Sequence, residues 1–214
     1  MVDIDEYLLS VKGLYLGQGI TCLEIFRKLD ADDLFKIVSD HVLPGLLLTS
    51  SIAGLETYLR DRLFVETFSD YNHLLKYISL YKGSNKEQGQ ALMAELQSNL
   101  QLSKDSQILI EESINTHIYH RLKMVNHFFQ NVSGIRIDNI RNYDEIRERI
   151  IITLRHKVVH EAFAGTIDVA TVYRVNEILG DFITDVERLF ISNNRPPVLT
   201  DIELRHSGLS VSDF

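Results

Sequence analysis

The chain has 214 residues, of which 45% are hydrophobic and 24% are charged, and this composition is typical of a folded protein with a substantial core. Its single cysteine, Cys22, excludes a disulfide framework and a thiolate zinc cluster. The net charge of −8 argues against a broadly basic nucleic-acid-binding surface, so contact with RNA requires a local concentration of positive charge. The sequence shows neither a signal peptide nor an apolar run as long as a membrane span, and we therefore expect a cytoplasmic protein without membrane contact.

The hydrophobic periodicity is helical almost throughout, and it predicts an all-α fold, an antiparallel bundle of four to five core helices with an N-terminal helical extension. The extension is assigned to residues 1–42, the bundle to residues 43–192, and a loosely ordered tail to residues 193–214. Within the extension, Asp30 is expected to cap a short helix, whereas the glycine-rich segment GLYLGQG (13–19) is expected to form a loop.

Helices are predicted where apolar residues recur three and four positions apart. The long ones span residues 44–66, 106–131, 143–162 and 166–191, and shorter ones span 70–81 and 89–101. The first long helix is expected to bury Leu48, Ile52, Leu55, Leu59 and Leu63, and the last one Val172, Val175, Leu179, Phe182, Val186 and Phe190. The second is expected to carry one continuous face of Ile110, Ile114, Ile118, Leu122, Val125 and Phe129. We expect a turn at Ser133-Gly134 and a cap at Thr166 or Asp168.

Positive charge is concentrated in residues 141–157, at Arg141, Arg147, Arg149, Arg155 and Lys157. Within this segment, the sequence RHKVVH places Arg155 five positions before His160. An imidazole that titrates near neutrality can move a proton, and a permanently charged guanidinium can stabilise phosphate oxygens, so the pair suits metal-free cleavage of a phosphodiester. The spacing alone decides little, because two other Arg–His pairs of the chain show a similar one.

A helical projection separates the two residues of this pair. On a regular α-helix Arg155 and His160 lie about 140° apart, whereas Arg149, His156 and His160 fall within about 40° of one another. The two histidines also fit a solvated, basic end of a helix, where positive charge is favoured by the helix dipole.

An apolar flank of the same helix indicates a partner. Ile152 and Val159 lie between the Arg149–His160 stripe and Arg155, on neither the core face nor a fully polar face. Such a flank suits packing against the same helix of a second copy, and a two-fold axis would then bring two sets of arginine and histidine into one cleft. The sequence thus predicts a homodimer.

Three segments follow one another along the chain: GLETYLRDRLF (54–64), SGIRI (133–137) and RHKVVHEAF (155–163). Their order, with a closing amphipathic helix, resembles the HEPN superfamily (higher eukaryotes and prokaryotes nucleotide-binding), in particular its ribonuclease-like prokaryotic members, over about residues 43–191. The family motif is an arginine, a polar residue directly after it, and a histidine after four to six residues. Arg155, His156 and His160 match this motif, and Glu56 matches an acidic residue that often supports the arginine.

The resemblance implies a metal-independent endoribonuclease that acts as a dimer without a cofactor, in a toxin or phage-defence role. His160 would take the proton of a ribose 2′-hydroxyl, Arg155 would stabilise the phosphate and His156 would assist, so that a 2′,3′-cyclic phosphate forms. Glu56 would support Arg155, and Arg149 is a further supporting candidate. RNA is the implied substrate, and an antitoxin or another regulatory protein is an implied partner.

Two other interpretations stay open. A non-catalytic HEPN module would use the same cleft to hold RNA, a nucleotide or a partner protein. A metal-dependent hydrolase would instead use His117, His120 and His127, which lie near one another on the helix predicted over residues 106–131.

Overall fold

A computed structural model describes residues 4–28, 43–84, 86–160 and 167–199, apart from the side chains of residues 6, 18–28, 82–84, 159 and 160. The helices are α1 (Ile4–Lys28), α2 (Leu43–Ser69), α3 (Tyr71–Ser84), α4 (Lys86–Asn99), α5 (Lys104–Asn115), α6 (Leu122–Ser133), a π-helix (Glu145–Arg155), α7 (His156–His160) and α8 (Val169–Ser192). The all-α prediction is confirmed, since these ranges contain no strand. In the same ranges, no helix has both the length and the hydropathy that a membrane crossing requires. The short helix predicted after Asp30 lies outside the described residues.

The described residues form two compact units. Unit 1 takes its residues from Met1–Tyr58, Asn139–Leu189 and Leu199–Phe214, and unit 2 takes its residues from Leu59–Asp138 and Phe190–Val198. The domain boundaries expected after residues 42 and 192 stay a prediction, and neither coincides with a division between the units. α1, the π-helix and α7 therefore belong to the same unit.

The prediction of a loop at GLYLGQG (13–19) is wrong, because these residues lie within α1. Apolar residues recur along α1 at helical spacing, and four of them are buried: Tyr7, Leu8, Val11 and Leu16. Their burial outweighs the cost of roughly 1 kcal/mol that each glycine brings to the interior of a helix. Packing in unit 1, rather than local propensity, therefore decides the structure of this segment.

The core stripe predicted for the first long helix is confirmed in α2. Its members are at most 1% exposed: Leu48, Ile52, Leu55, Leu59 and Leu63. At Gly54, α2 approaches α1 so closely that a Cβ atom would overlap the backbone carbonyl oxygen of Tyr15. Glycine is therefore required at this position by the close approach of two helix backbones.

The last predicted helix is also confirmed, as α8. The residues of its predicted inner face are at most 3% exposed: Val172, Val175, Leu179, Phe182, Val186 and Phe190. Oδ1 of Asp168 accepts a 2.7 Å hydrogen bond from the backbone N–H of Thr171, so Asp168 is the cap. Hydrogen bonds from Thr171 lower the pKa of the Asp168 carboxyl group.

The prediction of one helix over residues 106–131 is wrong, because the chain leaves the helix after Asn115 and re-enters it at Leu122. Ile118, which was expected on the buried face, lies in the break and is 39% exposed. The other five residues of that face are buried. The predicted turn is present, and α6 stops at Gly134 with a φ of 79°, a backbone conformation that suits glycine.

Side chains satisfy the carbonyl groups at this break. The hydroxyl of Thr116 donates a 2.8 Å hydrogen bond to the carbonyl oxygen of Ser113. The hydroxyl of Tyr119 donates a 2.8 Å hydrogen bond to the carbonyl oxygen of Ile114. A helix can stop here without proline or glycine because its terminal carbonyl groups still find donors.

The first residues of the predicted tail are packed in unit 2. Arg62 has no exposed surface, and its Nη1 donates a 2.8 Å hydrogen bond to the carbonyl oxygen of Pro196. Arg195 donates from Nη2 to the carbonyl oxygen of Ser133 at 3.1 Å. The expectation of loose order therefore does not hold for this part of the tail, and the residues after Leu199 lie outside the description.

Candidate functional site

Arg155 and Glu56 lie together in unit 1. Arg155 is the last residue of the π-helix, and its Nε lies 3.8 Å from Oε1 of Glu56 on α2. This distance describes an ion pair rather than a hydrogen bond, and the two side chains are 29% and 28% exposed. Within the described residues, the pair is the one polar contact of the Arg155 side chain. Among the described side chains, none other than that of Glu56 pairs with this guanidinium.

The winding of the π-helix places Arg155 on the same face as the buried residue Ile146. Bonding between residues i and i+5 widens the turn to roughly 4.4 residues, or about 82° per residue. Over the nine residues from Ile146 to Arg155, this winding leaves the two side chains within about 20° of each other, whereas an α-helix would place them about 180° apart. Because Ile146 is fully buried, π-helical winding accounts for the contact between Arg155 and Glu56.

The predicted stripe of Arg149, His156 and His160 is wrong, because the projection assumed one α-helix through residues 143–162. The hydroxyl of Thr153 donates a 2.9 Å hydrogen bond to the carbonyl oxygen of Glu148, five residues earlier. With π-helical winding up to Arg155, Arg149 and His156 lie about 130° apart. Arg149 therefore does not share a face with His156.

The two histidines of the motif belong to α7. His156 begins this short helix and is exposed. His160 ends it, and the side chain of His160 lies outside the described part of the chain. The structure thus brings together Arg155 and Glu56 from the predicted set, and it places His156 next to Arg155 in the chain.

Arg149 lines a different feature, a cavity of about 250 Å³ in unit 1. Nη1 of Arg149 and Nη2 of Arg174 lie 3.5 Å and 3.9 Å from the same oxygen of Glu145. Arg174 could not be recognised from the sequence, because an exposed arginine in a helix has the same pattern whether it binds a ligand or only water. The shared carboxylate balances part of the charge of this arginine pair.

The other arginines of residues 141–157 also have acidic neighbours. Nη2 of Arg141 lies 2.9 Å from Oδ2 of Asp181, and Nη1 of Arg147 lies 3.2 Å from Oδ1 of Asp144. With the two pairs described above, every arginine of this segment contacts a carboxylate. The positive charge that the sequence concentrates here is therefore balanced locally by aspartate and glutamate.

The three histidines of the metal-site interpretation do not form one stripe. His117 lies in the break between α5 and α6, and its Nε2 is 2.8 Å from the hydroxyl oxygen of Tyr77. His127 is exposed on α6, where it contacts Asn131. Among the residues that the structure describes, no group of three or more His, Cys, Asp and Glu side chains could hold a metal ion.

Comparison with known proteins gives no match. No family model matches the sequence, no curated protein matches it, and no solved structure matches the fold. The HEPN assignment therefore stays a prediction from the motif residues, and the roles of the site residues have to be argued from their geometry.

Proposed function

We propose that this protein is a metal-independent endoribonuclease of the HEPN type. The observation that carries the proposal is the ion pair between Arg155 and Glu56. The carboxylate lies on the Nε side of the guanidinium, and in the proposed mechanism the planar pair of terminal nitrogens contacts two oxygens of a phosphate group. The π-helix adds support, because π-helical segments are rare and are frequent at functional sites.

The reaction is an attack within the RNA chain. His160 takes the proton of a ribose 2′-hydroxyl, the 2′-oxygen forms a bond to phosphorus, and the bond between phosphorus and the 5′-oxygen breaks. The leaving 5′-oxygen takes up a proton, so the products end in a 2′,3′-cyclic phosphate and a 5′-hydroxyl. Arg155 stabilises the negative charge that builds on the phosphate oxygens, and His156 assists in holding the phosphate.

A homodimer is part of this proposal. Ile152, on the predicted apolar flank of the π-helix, is 56% exposed, and an isoleucine with so much free surface suits contact with a second copy. The side chain of Val159, the other member of the flank, lies outside the described residues.

The biological role that fits such an enzyme is that of a toxin or a phage-defence protein in the cytoplasm. Uncontrolled cleavage of RNA harms the cell that makes the enzyme, so its activity requires control. An antitoxin or another regulatory protein would supply that control.

The test is cleavage of RNA by the purified full chain in EDTA, followed by analysis of the new ends. We expect cyclic phosphate ends, with loss of cleavage in Arg155→Ala and in His160→Ala. Arg188→Ala and His127→Ala are matched controls that should keep the activity, since Arg188 pairs with Asp185 at the surface. Absence of cleavage by a folded wild-type dimer would overturn the proposal. Activity that EDTA removes and a divalent metal restores would favour a metal-dependent hydrolase.

The charge balance favours a second candidate, a non-catalytic HEPN module that binds a partner protein. A chain with a net charge of −8, whose arginines in residues 141–157 all contact carboxylates, attracts RNA weakly over long distances. A folded protein that neither cuts nor retains RNA, and whose expression is not toxic, would support this candidate.

A further inference from the structure

A second cavity, which lies entirely in unit 2, is larger than the one beside Arg149. Its volume is about 560 Å³, and its lining residues come from α3, α4, α5, α6 and the break between α5 and α6. This volume falls within the range of about 300–1,000 Å³ that is usual for small-molecule sites. We call it the unit 2 cavity, and it does not depend on the proposed ribonuclease function.

A chain of hydrogen bonds runs through one wall of the unit 2 cavity. The hydroxyl of Tyr77 lies 2.8 Å from Nε2 of His117 and 3.1 Å from Oγ of Ser113. Burial raises the pKa of Tyr77 to about 12 and lowers the pKa of His117, so both side chains are neutral at pH 7. Whichever tautomer His117 adopts, the two bonds hold all three side chains in place. The wall is therefore polar, uncharged and ordered.

Aromatic rings form a neighbouring part of the wall. The imidazole of His117 stacks on the ring of Phe128, with a distance of 4.2 Å between centroids and an angle of 19° between planes. The rings of Tyr77 and Phe128 lie 6.5 Å apart. Leu80, Leu109 and Met124 complete an apolar lining around them. Such a surface suits a flat, aromatic ligand, because stacking on rings needs no rearrangement of the wall.

The charge of the lining limits what the cavity can bind. Of the described residues that line it, Glu112 is the one acidic residue, and neither lysine nor arginine is among them. A phosphate group would meet a carboxylate without a compensating cation, which disfavours phosphorylated ligands. An amino group or a ring N–H would instead find an acceptor in Glu112.

We propose that the unit 2 cavity binds an uncharged, planar heteroaromatic molecule that carries an amino group, of the nucleobase or nucleoside class, without phosphate. The aromatic wall around Phe128 stacks on the ring system. Glu112 accepts hydrogen bonds from the amino group, and the hydrogen-bonded set of Tyr77, His117 and Ser113 forms the polar wall. The site is distinct from the Arg155–Glu56 pair, because the two belong to different units.

The experiment measures binding of adenosine, cytidine, uridine and AMP to the full chain by isothermal titration calorimetry. We expect saturable binding of adenosine or cytidine, at least 5-fold weaker binding of uridine, which lacks the amino group, and at least 5-fold weaker binding of AMP than of adenosine. Absence of saturable binding by adenosine and cytidine would overturn the proposal. Binding of AMP that equals or exceeds that of adenosine would also overturn it.

Two variants and one matched control locate the binding. Glu112→Gln should weaken binding at least 5-fold and reduce the discrimination against AMP, whereas Glu111→Gln, which changes a carboxylate that does not line the cavity, should bind as the wild type does. Met124 lines the cavity and is 38% exposed, so the larger side chain of Met124→Trp should occupy the cavity and abolish binding, with circular dichroism to verify the fold. Binding that Arg155→Ala abolishes and Glu112→Gln leaves unchanged would assign the ligand to unit 1 and overturn the proposal. These binding outcomes do not depend on RNA cleavage. A failure of the wild type to cut RNA would therefore overturn the proposed function and leave this proposal standing.

Discussion

Glu56 and Tyr58 lie two residues apart on α2, and each contacts a side chain far away in the sequence. Oε1 of Glu56 lies 3.8 Å from Nε of Arg155, and the hydroxyl of Tyr58 donates a 2.9 Å hydrogen bond to Oε2 of Glu187. Gly54, on the same stretch of α2, lies against the backbone of α1. This short stretch of α2 therefore contacts three other elements of unit 1, namely α1, the π-helix and α8. The site and the stability of unit 1 therefore depend on neighbouring residues of one segment.

Glu56→Gln should reduce RNA cleavage by roughly 10-fold to 100-fold without loss of the fold, because Arg155 loses the charge that positions it. Arg155→Ala should reduce cleavage further, by roughly 100-fold to 1,000-fold, since the guanidinium itself is then absent. The measurement is the rate of cleavage of a defined RNA in EDTA under single-turnover conditions.

The matched control for Glu56 is Glu148→Gln. Glu148 pairs with Arg147 at the surface of the π-helix, and its neutralisation should leave the rate within about 2-fold of the wild type. A positioning role of Glu56 would be contradicted if Glu56→Gln or Glu56→Lys cut RNA as fast as Glu148→Gln.

Tyr58→Phe should lower the free energy of unfolding by about 2 kcal/mol. Glu187 is fully buried, and it accepts hydrogen bonds from Tyr58 and from Tyr7, the latter at 2.8 Å. Removal of one hydroxyl leaves a buried carboxylate oxygen with one donor fewer, which costs about 1–3 kcal/mol. Urea unfolding measures the change, and Tyr71→Phe at an exposed position is the control. Equal stabilities of the two variants would contradict this role of Glu187.

Gly54→Ala should destabilise the protein by about 2–3 kcal/mol, because the new methyl group overlaps the carbonyl oxygen of Tyr15 and α1 has to move. Gly13→Ala is the matched substitution on α1, where a Cβ atom meets nothing within 4 Å. This second change should stabilise the protein by up to roughly 1 kcal/mol, since alanine is the better helix former. Thermal unfolding of both variants gives the comparison, and a neutral Gly54→Ala would mean that the two helices are not held this close.

The fold could be predicted wherever one face of a helix is apolar and buried. In α2 and α8, five or more apolar residues recur at spacings of three and four, and all of them lie in the core. A helical N-terminal extension was expected, but the helical structure of residues 13–19 within α1 was missed because their glycines suggest a loop, although burial of Tyr7 and Val11 decides the outcome. The break before Leu122 was missed because no proline or glycine marks it. Glycine and proline therefore do not predict where helices end when packing, or hydrogen bonds from side chains to terminal carbonyl groups, decide the structure.

The candidate site was only partly predictable for a related reason. Ile146 and Ile150, both buried, lie about 40° apart on an α-helix and about 30° apart on a π-helix. Either winding gives them a common inner face, so the sequence did not reveal the winding that turns Arg155 toward Glu56. The pairing of these two residues was expected from the family resemblance and not from spacing. The unit 2 cavity was missed altogether, because Tyr77 and His117 are 40 residues apart and only packing brings them together.

The stability of the protein should fall as the pH falls below neutrality, through His117. Burial lowers the pKa of His117 below its usual value of 6.5, so below about pH 7 the unfolded chain binds a proton that the folded protein does not. This contribution to stability is present at higher pH, and it is lost progressively from pH 6.5 down to the folded-state pKa. Tyr77, with a pKa raised to about 12, stays neutral throughout this range.

Urea unfolding between pH 7.5 and pH 5 measures this effect. His117→Gln removes the titrating imidazole while it keeps a polar side chain, so its stability should change less with pH than that of the wild type. The difference between the two profiles isolates His117, because all other groups titrate in both proteins. Parallel profiles would mean that His117 has the same pKa in the folded and unfolded states.

Ile152→Asp should convert a dimer into a monomer and abolish RNA cleavage, if the flank of the π-helix forms the interface that the proposed function requires. Ile152 is 56% exposed, and a carboxylate placed opposite its own symmetry mate across a two-fold axis adds repulsion to the loss of apolar contact. Light scattering coupled to size-exclusion chromatography reports the mass, and Ile108→Asp, at another exposed isoleucine on α5, should leave the dimer intact. A monomeric wild type that still cuts RNA would remove dimerisation from the mechanism, and a dimer that survives Ile152→Asp would move the interface to another surface.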